Sequence, residues 1–312
     1  MDELNHTTVT YFIFLGLTGN QALELALFVF FSTLYLLILA GNLLIMVTVA
    51  CDRSLHTPMY FFLGNLSFID ICHSSVTVPK MLLDFLFPQK TISFHGCIAQ
   101  LFFLHICACA EIFLLTIMAY DRYIAICYPL HYLSFMSLKV CTWLVGAVWV
   151  GATIHSLVQT VLAIQLPYCG PNVIDSFFCD VLPVLKLACT DTYFTEVLIV
   201  SNSGMISLVC FLALLLSYVV ILVSLRRRTA EERRKALSTC AAHLFVVTLF
   251  LGPCLFLYTC PTTRSSTNKV VAIFYTLVTP VLNPVAYTLR NEEVKASIKK
   301  LKNRKKVISL WK

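Results

Sequence analysis

The chain has 312 residues, of which 59% are apolar and 12% charged, with a formal net charge of +7. A soluble domain carries about 25% charged residues. The composition therefore excludes a disordered chain, a nucleic-acid-binding module and an ordinary cytosolic enzyme.

Residues 1–24 are polar to mixed. They lack a basic segment followed by a short apolar core, so no cleavable signal is expected. A membrane helix needs about 20 predominantly apolar residues, and seven stretches qualify. Leu25–Cys51 carries no Asp, Glu, Lys or Arg; Thr57–Pro79 is broken only by Asp70, and Cys97–Tyr120 only by Glu111. Val140–Pro167, Val197–Leu225, Ala236–Pro261 and Val270–Leu289 again carry none. The breaks are short except for residues 168–196, and no internal repeat is evident. The expected fold is an all-α membrane protein, one seven-helix domain over 1–312. Its helices fall at about 24–51, 57–81, 95–127, 138–163, 196–226, 233–261 and 268–290, with a long loop at 164–195. Residues 291–312 are basic, with Val294, Ile298 and Leu301 spaced for one helical face. That pattern predicts a short amphipathic eighth helix on the inner membrane surface and contact with lipids.

Orientation follows from the basic residues. With the N-terminus outside, 18 of the 23 Lys and Arg lie inside and five outside. The protein is thus expected to be multi-pass, N-terminus extracellular and C-terminus cytoplasmic. Asn5-His6-Thr7 then forms a usable glycosylation sequon, whereas Asn65-Leu66-Ser67 lies within a helix. The positive charge is read as the inner-leaflet signature and not as nucleic-acid binding.

Of 14 cysteines, Cys97, Cys169, Cys179 and Cys189 fall outside or at the outer edge. Four cysteines in an oxidising compartment imply two disulfides, with three pairings open. A metal site using His95 and Cys97 lacks any Cys-x-x-Cys spacing to support it.

Charges at mid-membrane are costly and mark function. Asp70 and Glu111 lie at similar depth, as do Asn42 and Asn283. Two nearby carboxylates do not both ionise without a cation or a shared proton. A sodium or proton site at Asp70 and Glu111 is therefore expected, with no other cofactor. At the cytoplasmic end of the third helix, Arg122 adjoins Asp121, a pair able to open and close as a switch. In the seventh helix Pro284 follows Asn283, removes a backbone bond and bends the helix. Tyr287 lies three residues further on.

Longer motifs carry a resemblance. Gly41-Asn42, LHTPMYFFLGNLSFID (Leu55–Asp70), MAYDRYIAICYPLHY (Met118–Tyr132), Ser217-Tyr218, KALSTCAAH (Lys235–His243) and PVLNPVAYTLRN (Pro280–Asn291) run through nearly the whole chain. Together they resemble the vertebrate olfactory receptors, a branch of the rhodopsin-like G-protein-coupled receptors. Gly64, Ala242, Leu251 and Ala286 depart mildly from the usual pattern.

The resemblance implies disulfides Cys97–Cys179 and Cys169–Cys189. It implies a pocket for small, mostly apolar odorants in the outer half of the bundle. On helix three that pocket maps to Leu104, His105, Ala108, Cys109 and Ile112; on helix five to Asn202, Ser203 and Ile206. On helix six it maps to Leu251, Cys254, Leu255 and Tyr258, and on helix seven to Ile273 and Thr276. His105, Asn202 and Tyr258 are the expected hydrogen-bonding handles. The family also implies coupling to a stimulatory, olfactory-type heterotrimeric G protein at the plasma membrane, raising cAMP. Asp121, Arg122, Tyr123, Tyr218, His243, Asn283, Pro284 and Tyr287 would form the switch, with His243 against the inner end of helix three. A channel or transporter using Asp70 and Glu111 is the alternative. A retinal protein is excluded because Val270–Leu289 has no lysine for a Schiff base, and no enzyme motif appears.

Overall fold

The computed structural model describes residues 9–226, 228–259, 265–290 and 292–309. The side chains of residues 235, 239, 257–259, 265–266, 287–290, 292 and 302–309 fall outside that description. Seven helices are long and apolar enough to cross a membrane. In lipid each backbone polar group must be satisfied within its own segment, so apolar runs of this length form helices.

The spans are α1 (Gln21–Cys51), α2 (Pro58–Leu86) and α3 (Phe94–Cys127). The one-turn α4 (Tyr132–Phe135) leads into α5 (Leu138–Ile164), and the five-residue α6 (Val181–Leu185) lies in the long loop. α7 (Tyr193–Leu225) and α8 (Ala230–Thr259) follow. The seventh span is composite. It runs from α9 (Ser265–Ile273) through a π-helical stretch (Phe274–Val278) into α10 (Thr279–Arg290). α11 (Glu292–Ser309) is the expected eighth helix. α3 is the most enclosed span and α1 the least.

α2 extends past the expected end near residue 81 to Leu86, with Pro79 inside it. Beyond the proline, Lys80 pairs with Asp84 one turn on.

Prolines elsewhere free carbonyls that neighbouring helices fill. Pro284 has no N–H for the carbonyl of Pro280, and Asn42 Nδ2 donates to that oxygen at 3.1 Å. Gly41 makes the approach possible, since a Cβ there would lie 3.1 Å from the Pro284 ring. Likewise Pro253 leaves the Leu249 carbonyl without its helix donor, and the Thr279 hydroxyl lies 3.4 Å from it. The expected distortion of the seventh helix thus has a second centre upstream of Pro284, at the π-helical stretch.

The end of the bundle that carries the N-terminal segment has structure that the helical pattern does not announce. β1 (Tyr11–Phe14) pairs antiparallel with β2 (Thr91–Ser93) and parallel with β3 (Val173–Ile174). Phe12 and Phe14 point inward, onto Tyr168, Ile174, Cys179 and Val184. The Lys80 ammonium lies 5.4 Å over the Phe14 ring. Beyond the strand Gly16 takes φ +70, a left-handed conformation suited to glycine. Disulfides join Cys97 to Cys179 and Cys169 to Cys189. The first ties the head of α3 to the long loop, and Gln100 adds to it by accepting from the Cys179 amide at 2.8 Å.

Candidate functional site

Beneath this cap lies a cavity of about 350 Å³. Leu104, His105 and Ala108 line it from α3 and Cys254 from α8. The long loop supplies Ser176, Phe178, Asp180 and Val181, and the seventh span supplies Asn268, Lys269, Ala272 and Tyr275.

α7 contributes none of the described lining. Its two polar candidates already have partners on α5. Asn202 Oδ1 lies 3.0 Å from His155 Nδ1, and the Ser203 hydroxyl accepts from Gln159 Nε2 at 3.1 Å. Cys109, Ile112 and Leu251 are core residues, with Ile206 and Ile273 packed against them. Thr276 spends its hydroxyl on the Ala272 carbonyl at 2.7 Å. Leu255 is half-buried and absent from the wall. The Tyr258 side chain lies outside the described residues. Loop residues, tied to α3 through Cys179, stand where the wall from α7 was expected.

Polar groups in this cavity are arranged by their neighbours. His105 Nδ1 lies 2.8 Å from the Leu101 carbonyl, which only accepts, so Nδ1 carries the hydrogen and Nε2 is an acceptor. Asp180 takes the Val181 amide at 2.7 Å. Burial pushes its carboxyl above the usual carboxylate range, and that hydrogen bond opposes the shift. Lys269 donates to the Gly16 carbonyl at 2.8 Å and pairs with Asp175 at 2.7 Å. It fastens the N-terminal segment and the long loop to the head of the seventh span.

Deeper in the bundle the buried acids sit in two linked pairs. Asn283 Nδ2 lies 3.0 Å from each carboxylate oxygen of Asp70. Glu111 Oε2 lies 3.2 Å from His73 Nδ1. All four residues are buried. His73 is absent from the sequence reading, although its offset of three from Asp70 places it on the same face of α2. Asn42 is buried too but faces Pro280 instead of the acids. The oxygens Asn42 Oδ1, Asn283 Oδ1 and Glu111 Oε1 have no hydrogen-bond partner among the described residues. No cluster of three or more His, Cys, Asp or Glu suited to a metal is found among those residues.

At the inner end, Asp121 accepts the Tyr132 hydroxyl at 2.8 Å. Among the described residues it makes no ion pair with Arg122; Tyr132 takes the carboxylate instead. Arg122 is buried, and its Nε has no partner among the described residues. Tyr123 is half-buried beside it. His243 is hydrogen-bonded to Tyr218 of α7 and also meets α3, at the Leu115 backbone and near Arg122. Pro284 is buried against Gly41. The Tyr287 side chain and all of Asn5 lie outside the described residues.

Comparison with known proteins agrees with this anatomy. The olfactory receptor family model matches residues 31–305. Olfactory receptor 4E2 of Mus musculus is 68% identical over 98% of this chain and 99% of its own length. Olfactory receptor 4E2 of Homo sapiens is 66% identical over 97% of each chain. Olfactory receptor 4E1 of Homo sapiens is 60% identical over 97% of this chain and 96% of its own. These relatives are receptors and not enzymes. With seven apolar spans, two disulfides and a family match across nearly its whole length, the chain belongs to the vertebrate olfactory receptors, of the rhodopsin-like G-protein-coupled type.

Proposed function

We propose that this receptor binds small, mostly apolar odorants in the cavity beneath the long outer loop. The observation that carries the reading is the cavity itself: about 350 Å³, with Leu104, Ala108, Phe178 and Ala272 as apolar wall and His105, Asp180 and Lys269 among its polar groups. Liquid water takes about 30 Å³ per molecule, so the space matches roughly a dozen such volumes. That suits a small volatile. His105 Nε2 is an acceptor, which favours ligands carrying a hydroxyl or another donor. A ligand this small buries little area, so affinity is expected at about micromolar or weaker.

Binding shifts the population toward a state with the inner ends of α3, α7 and α8 apart. A stimulatory, olfactory-type heterotrimeric G protein docks there, near Arg122, Tyr123, Tyr218, His243 and Tyr287, and cAMP rises. The receptor lies in the plasma membrane with the N-terminus outside, where Asn5 carries a glycan. The distribution of Lys and Arg supports this orientation. Asp70 and Glu111 hold a sodium ion or share a proton. The unpartnered oxygens of Asn283 and Glu111 support that reading, because buried acceptors need a cation or a donor.

The test measures cAMP in cells expressing the full chain, challenged with a broad odorant panel beside Arg122→Ala. A response lost in the variant at equal surface level is expected. Silence of a well-expressed receptor across the panel, with a ligand-gated current in its place, overturns the reading.

A further inference from the structure

His73 stands between the odorant cavity and the buried acids and touches both arrangements. It is fully buried on α2 and touches three other spans. Its Nδ1 meets Glu111 of α3 at 3.2 Å. Its ring stacks on Tyr275 of the seventh span, with centroids 6.2 Å apart and planes 27° apart. Phe250 of α8 meets it edge-on at 6.3 Å. Its Nε2 has no partner among the described residues.

The far side of this arrangement is the cavity, because Tyr275 also lines it. Tyr275 lies in the π-helical stretch Phe274–Val278. Such an insertion often marks a functional position in a helix and gives it a place to re-register. The stretch is stitched to α8 as well: the Thr279 hydroxyl lies 3.1 Å from the Phe274 carbonyl and 3.4 Å from that of Leu249. One turn back along α2 from His73, Asp70 holds Asn283 of the same seventh span.

We infer that His73 is a positioning residue that carries cavity occupancy to the buried acids, through its ring on Tyr275 and its hydrogen bond to Glu111. A ligand that moves Tyr275 removes the stacking partner that orients the imidazole. The Nδ1 contact with Glu111 then lengthens or breaks, and α3 loses that tie to α2. Phe250 passes the same change to α8. The ring supplies the coupling to the ligand and the nitrogen supplies the coupling to the acid, so both parts of the side chain are needed.

This inference rests on the odorant-cavity reading, and its test keeps the two separable. The full-length receptor is expressed in cells, and cAMP is read per surface receptor. Readings are taken without ligand and with a panel of medium-chain alcohols, ketones and amines. His73→Phe keeps a ring for Tyr275 and Phe250 but has no hydrogen bond for Glu111. His73→Asn keeps a donor for Glu111 but no ring. Each is expected to raise the half-maximal ligand concentration about tenfold and to shift ligand-free cAMP severalfold. His73→Phe combined with Glu111→Met should be no worse than the more severe single variant, because both remove one bond.

If either His73 variant signals as the wild type does, or if the double variant shows the product of the two single shifts, His73 is packing alone and the inference falls. Silence of the wild type across the panel counts against the odorant cavity. The ligand-free comparison among the same receptors still decides the role of His73. Should a His73 variant fail to reach the surface, Tyr275→Leu and Glu111→Met replace it with His73 intact. Non-additive shifts in ligand-free cAMP are expected, and additive ones overturn the inference.

Discussion

The Asn283 amide nitrogen sits 3.0 Å from both carboxylate oxygens of Asp70, across 213 residues of sequence. This bond ties the seventh span to α2 between two buried side chains. Asn283 Oδ1 and Glu111 Oε1 have no partners among the described residues. A sodium ion bound here stabilises the folded receptor by mass action, about 1.4 kcal/mol at a tenfold excess over Kd. Purified receptor is expected to melt higher in sodium chloride than in choline chloride of equal strength. Asp70→Asn should abolish the difference. Equal melting of the wild type in both salts removes sodium from the account and leaves the shared proton.

Lys269 closes the outer face by holding Gly16 and Asp175 together. Asp175 is half exposed, so water and salt weaken the pair. Lys269→Met should therefore cost no more than about 1 kcal/mol of stability. Its effect belongs to kinetics. With the clasp gone, an odorant leaves the cavity faster, and cAMP should decay severalfold faster after washout at an unchanged surface level. Identical decay in wild type and variant means that the cap opens elsewhere.

The two disulfides close loops of different size, with sequence separations of 82 and 20. On chain entropy alone the longer loop contributes about 1 kcal/mol more. Cys97–Cys179 also holds the loop that walls the cavity. The double variant Cys97→Ser/Cys179→Ser is expected to lose both surface expression and odorant response. Cys169→Ser/Cys189→Ser should lose less of each. Melting curves of the two variants rank them directly, and the reverse ranking would falsify the wall-holding role.

On the inner side, Asp52 accepts the Ser297 hydroxyl at 2.7 Å, fixing α11 beneath α1. That bond, followed by those from Ser54, holds the Asp52 carboxyl well below the usual carboxylate range. A depressed folded-state pKa contributes stability above the unfolded value of about 3.9, lost only as pH falls below it. Docking of α11 should thus be flat from neutral pH down to about pH 5. Ser297→Ala should loosen it at every pH, read as faster amide exchange across 293–300. A loss of protection between pH 7 and 6 in the wild type would point to a different titrating group.

The seven spans, their approximate ends and the eighth helix are legible from hydropathy, because a helix in lipid satisfies its backbone internally and its formation depends on local composition. Gly41, Asn42, Asp70, Asn283 and Pro284 stand out in the same way, as small, polar or ring-bearing residues in apolar runs. Their partners do not. Asn42 completes a carbonyl that Pro284 leaves open, and Glu111 meets a histidine that looks like any other polar residue on α2.

Non-local pairing decided the rest. β1 forms only because two loops present edges in register, so its four residues carry little signal by themselves. Asn202 and Ser203 have the character of ligand handles, yet α5 claims both. The cavity wall passes instead to a loop tied to α3 through Cys179. Membrane insertion is decided by the free energy of each segment in turn, which a single sequence carries. The shape of the site is decided by which of several competing partners each polar side chain reaches, and only the packed bundle settles that competition.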